Sequence, residues 1–159
     1  MIRFLTLIII AATFSTPALA KISYTDWYSV SGPYLGQHPP GMVAEVFAPG
    51  LISTAQSEIN SVFTPDGNEF YFTGWSKEVG TKIMVTRQTK GRWSKPEVAS
   101  FSEQYSNVDP ALSQNGQRIY FGTRRPRPGK QKIREKGFDV WYATVVVPIG
   151  GRLLIFVVR

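Results

Sequence analysis

The sequence predicts an all-β chain made of a repeated antiparallel four-stranded unit. Three observations carry that reading. A hairpin-like stretch, INSVFTPDGNEFYFT over Ile59 to Thr73, returns as VDPALSQNGQRIYFGT over Val108 to Thr123. Strand-like runs lie between turn signals at short, regular spacing. Outside the first residues no stretch sustains a 3.6-residue apolar period. The repeat length, about 50 residues, is of the kind that marks blades and arrays.

The 159-residue chain has room for one domain and a sizeable core. It opens with a positive n-region at Arg3, an apolar run from Phe4 to Ala12, and the small-x-small site Ala18-Leu19-Ala20. That tripartite pattern predicts a cleaved secretory signal over residues 1–20 and a periplasmic or secreted protein. The apolar run is too short for a stable membrane anchor. The chain has no cysteine, which excludes disulfides, thiol catalysis and thiolate metal sites.

Residues 21–43 carry Pro33, Pro39, Pro40, Gly32, Gly36 and Gly41 among scattered aromatics, a punctuation too dense for regular structure, so an extended lead-in is expected. Val43 to Ile52 can form a short strand ending at Pro49-Gly50. Its downstream echo is Glu97-Val98, which places a strand before each hairpin. In the first hairpin, Pro65-Asp66-Gly67-Asn68 turns the chain and Phe70, Tyr71 and Phe72 begin the return strand. In the second, Asn115-Gly116 falls where Asp66-Gly67 fell, and Phe63, Phe70, Tyr71 and Phe72 meet Leu112, Ile119, Tyr120 and Phe121. Gly74 to Thr81 reads as a loop before a third strand, Lys82 to Arg87, whose counterpart is Phe138 to Thr144 with Ile83 matching Val140. Arg92 to Ser100 is a fourth strand. Pro96 inside it has no N–H for a central ladder, so it belongs at an edge.

These residues resemble the WD40-like repeat of TolB-type β-propellers. The resemblance rests on Asn60 to Phe72 with its Thr64-Pro65-Asp66-Gly67 turn, on Ile83-Met84-Val85 and Asp139-Val140-Trp141-Tyr142 as third strands, and on Gly91-Arg92-Trp93-Ser94-Lys95-Pro96 as a closing strand. It covers about residues 44–143, and it implies antiparallel four-stranded β-propeller blades over residues 44–144. About two blades are present, an incomplete propeller where closure takes four or more. The second copy departs with Gln114-Asn115 in place of Pro-Asp. The tail over residues 145–159, VVVPIGGRLLIFVVR, departs further. It reads either as a divergent outer strand or as the product of a shifted or shortened reading frame.

The net charge of +7 is concentrated in Arg124, Arg125, Arg127, Lys130, Lys132, Arg134 and Lys136, opposed only by Glu135. A solvated loop, dispensable for folding, is the favoured reading over nucleic-acid binding. His38 is the only histidine and reads as a surface-loop residue. No nucleophile elbow, P-loop or H-E-x-x-H is present. The Asp box of sialidases is absent because Asp66 adjoins Gly67 directly. Phe63, Phe70, Phe72, Trp93, Phe121 and Trp141 read as core.

Glu58 and Asn60 lead into the first hairpin, and Asn107 and Asp109 lead into the second at matched positions. The resemblance implies that first strands line a central channel, which makes these four the candidate ligand-binding residues. Short polar side chains that satisfy strand-end amides are the plainer alternative. The expected function is an exported, non-catalytic binding or scaffold module with a protein or cell-envelope partner, no nucleic acid, no membrane span, no metal and no cofactor. The alternative is a propeller hydrolase acting on a glycan or peptide, with Glu58 and Asp109 as weak acid and base candidates. Two blades with two apolar outer faces also predict self-association.

Overall fold

The computed structural model describes residues 30–132, 136–146 and 154–158. The expected signal over 1–20 and the first part of the lead-in lie outside the described residues. The fold is all-β. Strands β1 (Ser57–Phe63), β2 (Glu69–Ser76), β3 (Gly80–Thr89), β4 (Arg92–Trp93) and β5 (Glu97–Val98) form one antiparallel sheet. Strands β6 (Asn107–Leu112), β7 (Arg118–Thr123), β8 (Asp139–Val146) and β9 (Leu154–Val158) form a second, and neither closes into a barrel.

The two hairpin turns are built by the same bonds. In the first, the Gly67 amide donates to Thr64 O at 2.8 Å, and the Thr64 hydroxyl donates to Asp66 Oδ1 at 2.6 Å. That hydroxyl also accepts the Glu69 amide at 3.0 Å. In the second, the Gly116 amide donates to Ser113 O at 2.8 Å, and the Ser113 hydroxyl donates to Asn115 Oδ1 at 2.8 Å and accepts the Arg118 amide at 2.9 Å. Both glycines take positive φ, 71° and 70°. The exchange of Pro65-Asp66 for Gln114-Asn115 leaves the turn unchanged, because either side chain can accept from a hydroxyl and from the amide two residues on.

Both units have four strands, and Pro96 decides how the first one ends. β4 pairs with the end of β3 (Gln88 opposite Trp93) and β5 with its middle (Met84 opposite Val98). Between them the ladder is carried by Ser94, whose amide donates to Arg87 O at 2.8 Å and whose hydroxyl accepts the Arg87 amide at 3.1 Å. β4 and β5 are therefore one edge strand interrupted where proline offers no N–H. Glu97-Val98 thus closes the first unit, a correction to its reading as the opening strand of the second. β9 occupies the fourth-strand place beside β8, with Thr144 opposite Phe156, so the segment 154–158 is an outer strand.

Two further expectations are corrected. The loop expected from Gly74 to Thr81 shrinks to three residues, since Gly74 and Trp75 continue the ladder opposite Lys82 and Thr81. Val43 to Ile52 forms no strand. Ala48 has φ 41°, and its carbonyl accepts the amides of Leu51, Ile52 and Ser53 at 3.0, 2.8 and 3.3 Å. That turn folds Leu51 and Ile52 back onto the first sheet.

The core has two layers. Between the sheets lie Tyr71, Ile83, Val85, Phe101, Ile119, Phe121, Trp141 and Ala143. On the other face of the first sheet, Phe70, Phe72 and Trp93 pack against Val30, Leu35, Ala48, Leu51 and Ile52. Phe63 is partly buried against that second cluster. The six aromatics read as core do lie there. The lead-in also guards the sheet edge, where the Trp93 amide donates to Val30 O at 3.0 Å and its indole N–H to Gly32 O at 2.8 Å. The expectation of two bare outer faces is therefore corrected for the first sheet.

Candidate functional site

β1 and β6 begin their units and lie side by side. Each is broken by a bulge at the same place, between Ile59 and Ser61 in β1 and between Val108 and Ala111 in β6. The bulged residues are Asn60 and Asp109, with φ 42° and 57°. Asn and Asp are the side-chain-bearing residues that best tolerate this left-handed region. A bulge bends the strand and re-aims the side chain. Here both are re-aimed toward each other, and Asn60 Nδ2 donates to Asp109 Oδ1 at 2.6 Å. The Asp109 amide donates to the Thr73 hydroxyl of β2 at 2.9 Å, which fixes the bulge against the first sheet. Both side chains are exposed. Two non-glycine residues in a sparsely populated backbone region, juxtaposed at a surface, are the kind of strain that collects at functional sites.

The other two candidates do not join them. The Glu58 carboxylate turns back to Thr54, accepting its hydroxyl at 2.5 Å and its amide at 3.3 Å. Asn107 is fully buried, and its Nδ2 donates to Phe101 O at 3.1 Å, so it anchors the 99–106 loop and cannot meet a ligand from solvent. Among the described residues no hydrogen bond links Glu58 to Asp109. Trp75, 48 % exposed, lies on β2 and not in the loop expected from Gly74 to Thr81. It sits opposite Ser57, at the start of β1, with Ile59 and Val79 also exposed.

The basic segment after β7 is partly structural. The Arg125 guanidinium lies 5.0 Å from the Tyr105 ring centroid and 5.3 Å from that of Trp141, and its Nη2 donates to Phe101 O at 3.2 Å. Burial lowers its pKa. Arg127 makes a two-pronged contact with Asp139 at 2.9 and 3.1 Å. Arg125 therefore departs from the expected solvated loop, packed against Tyr105 and Trp141. Ile133, Arg134 and Glu135 lie outside the described residues.

At the opposite end, a cleft between the hairpin tips holds Glu69, Tyr71 and Arg87. Arg87 bonds Glu69 at 2.7 Å and Glu97 at 2.5 Å, and the Tyr71 hydroxyl donates to Glu69 at 2.7 Å. Burial first, and then the Glu69 charge, push the Tyr71 phenol far above its ordinary value. This closed set of mutual partners ties β2, β3 and β5 of the first sheet to one another. Among the described residues no group of three His, Cys, Asp or Glu side chains could hold a metal ion, and no helix is long and apolar enough to cross a membrane.

No protein-family model, no curated protein and no solved structure matches this sequence. The fold and the bulge pair therefore stand on their own geometry.

Proposed function

We propose that this chain is an exported, non-catalytic binding module of the TolB-like propeller type, whose ligand sits over the Asn60–Asp109 pair. The observation that carries the reading is the pair of matched bulges, which present an amide and a carboxylate side by side at an exposed junction of two first strands. Such a pair offers donors and acceptors to a polar ligand. The hydrolase alternative is weaker, because the Glu58 carboxylate is taken up by Thr54. Export rests on the pattern of residues 1–20 and the module's partner class on that address, a protein or another cell-envelope component.

The reading is tested by thermal-shift titration of the leaderless chain with envelope glycan fragments, peptides and divalent cations. A ligand that raises the melting temperature of the wild type, and raises that of Asp109→Ala at least about tenfold less effectively, is the expected result. Turnover of a glycoside or peptide substrate that is lost in Asp109→Ala would overturn the non-catalytic reading.

A further inference from the structure

The two faces of the first sheet are covered, one by residues 30–52 and the other by the second sheet. The second sheet has a covered inner face and an outward face that meets nothing among the described residues. That outward face carries Arg118, Tyr120, Val140, Tyr142, Phe138 and Arg124. Val140 is 71 % exposed and Phe138 40 %. The two arginines lie over the rings of this same face, Arg118 at 5.0 Å from Tyr142 and Arg124 at 5.0 Å from Phe138. Neither has a carboxylate partner among the described residues. The first sheet differs at the equivalent place, where Glu69 stands in the position of Arg118 and is bonded to Arg87. A surface complementary to this face would bring apolar side chains and a carboxylate.

The opposite end of the molecule exposes such a surface. The lead-in stretch Gly41–Val46 has Met42 fully exposed, Val43 78 % exposed and Val46 62 % exposed. Glu45 stands among them, exposed and without a cationic partner among the described residues. Beneath them runs a groove of about 610 Å³ walled by Tyr34, Phe47 and Phe63. The two ends thus match in both terms, apolar to apolar and carboxylate to guanidinium, whereas either end laid against itself would oppose like charges.

We propose that a second copy of this chain docks head to tail, the Gly41–Val46 stretch of one copy lying on the outward face of the other's second sheet with Glu45 toward Arg118. The contact continues the stacking order inside the molecule, lead-in on first sheet on second sheet. Because it joins two different surfaces, it repeats into a ring or an open chain of copies.

The test uses the chain without residues 1–20, so that the apolar leader cannot drive association, in sedimentation velocity over a concentration series. The wild type is expected to form species larger than a dimer, with the midpoint concentration raised at least about tenfold by molar salt. Val140→Arg and Val43→Arg each add a cation to one end only and are expected to be monomeric where the wild type associates. Their equimolar mixture retains one intact pair of ends and is expected to give a 1:1 dimer and nothing larger. Circular dichroism melts check that both variants fold, and Arg118→Glu replaces Val140→Arg if that variant does not. A wild type monomeric throughout overturns the proposal. So does a mixture that stays monomeric, or a Val43→Arg chain that associates as the wild type does.

Discussion

Tyr71 and Tyr120 hold the same place in two copies of one hairpin, yet Tyr71 is 1 % exposed and Tyr120 lies half-open on the surface. Ile83 and Val140 differ more sharply, at 0 % and 71 %. The hairpins of the two units are built alike down to the turn hydrogen bonds, so the difference is not made inside the hairpins. It comes from stacking order. The second unit covers the first, and among the described residues nothing covers the second. In stacked repeats each interface is built by neighbours, and equivalent residues acquire unequal energetic weight.

The largest test of this comparison sets Phe121→Ala, in the core between the sheets, against Tyr120→Ala on the outward face. The first should cost about 3–5 kcal/mol and the second under about 1 kcal/mol in urea unfolding. Equal losses would mean that the outward face is covered in solution. A second contrast uses the turns. Gly67 and Gly116 both have positive φ, but a Cβ at Gly67 meets open space whereas one at Gly116 would lie 2.9 Å from Pro65 Cδ. Gly67→Ala should cost about 1–2 kcal/mol from backbone strain alone. Gly116→Ala should add about 1–3 kcal/mol of overpacking against the first unit. A third contrast lies within the basic segment. Arg125→Ala removes two ring contacts and a bond to Phe101 O and should lower stability by about 1–2 kcal/mol, while Lys130→Ala should stay within about 0.5 kcal/mol.

The smallest effect separates the two turns by pH. The Thr64 hydroxyl, and then the Asn68 amide, hold the Asp66 carboxyl below the usual carboxylate range. A depressed folded pKa gives stability that is present above the unfolded pKa and is lost as pH falls through the folded one. Asn115 in the second turn has no such titration. The melting temperature of the wild type should therefore fall toward that of Asp66→Ala as the pH is lowered below the carboxylate range, and Asn115→Ala should show a gap to wild type that does not narrow in this way.

Much of the fold was legible because it is local. Thr64-Pro65-Asp66-Gly67 and Ser113-Gln114-Asn115-Gly116 set their turns through bonds spanning a few residues, and period-two alternation set the strands. The candidate site was half legible. Matched spacing singled out Asn60 and Asp109 along with Glu58 and Asn107, but pattern could not show that a bulge turns the first two toward each other and that Asn107 goes inward. Trp75 is not legible as a strand residue because the glycine before it reads as a strand end, whereas Gly74 is a close-approach residue whose added Cβ would lie 3.1 Å from Met84 Cγ.

By itself, then, the sequence determined the all-β class, the two turns and the aromatic core set, since each depends on neighbours in the chain. Tertiary structure alone decided that residues 30–52 cover the first sheet, that Asn60 meets Asp109 across 49 positions, and that Arg125 is a wedge while Lys130 is solvated. Those outcomes depend on which surfaces meet in space, and an apolar residue or a charge in a sequence has the same character whether or not a partner arrives to cover it.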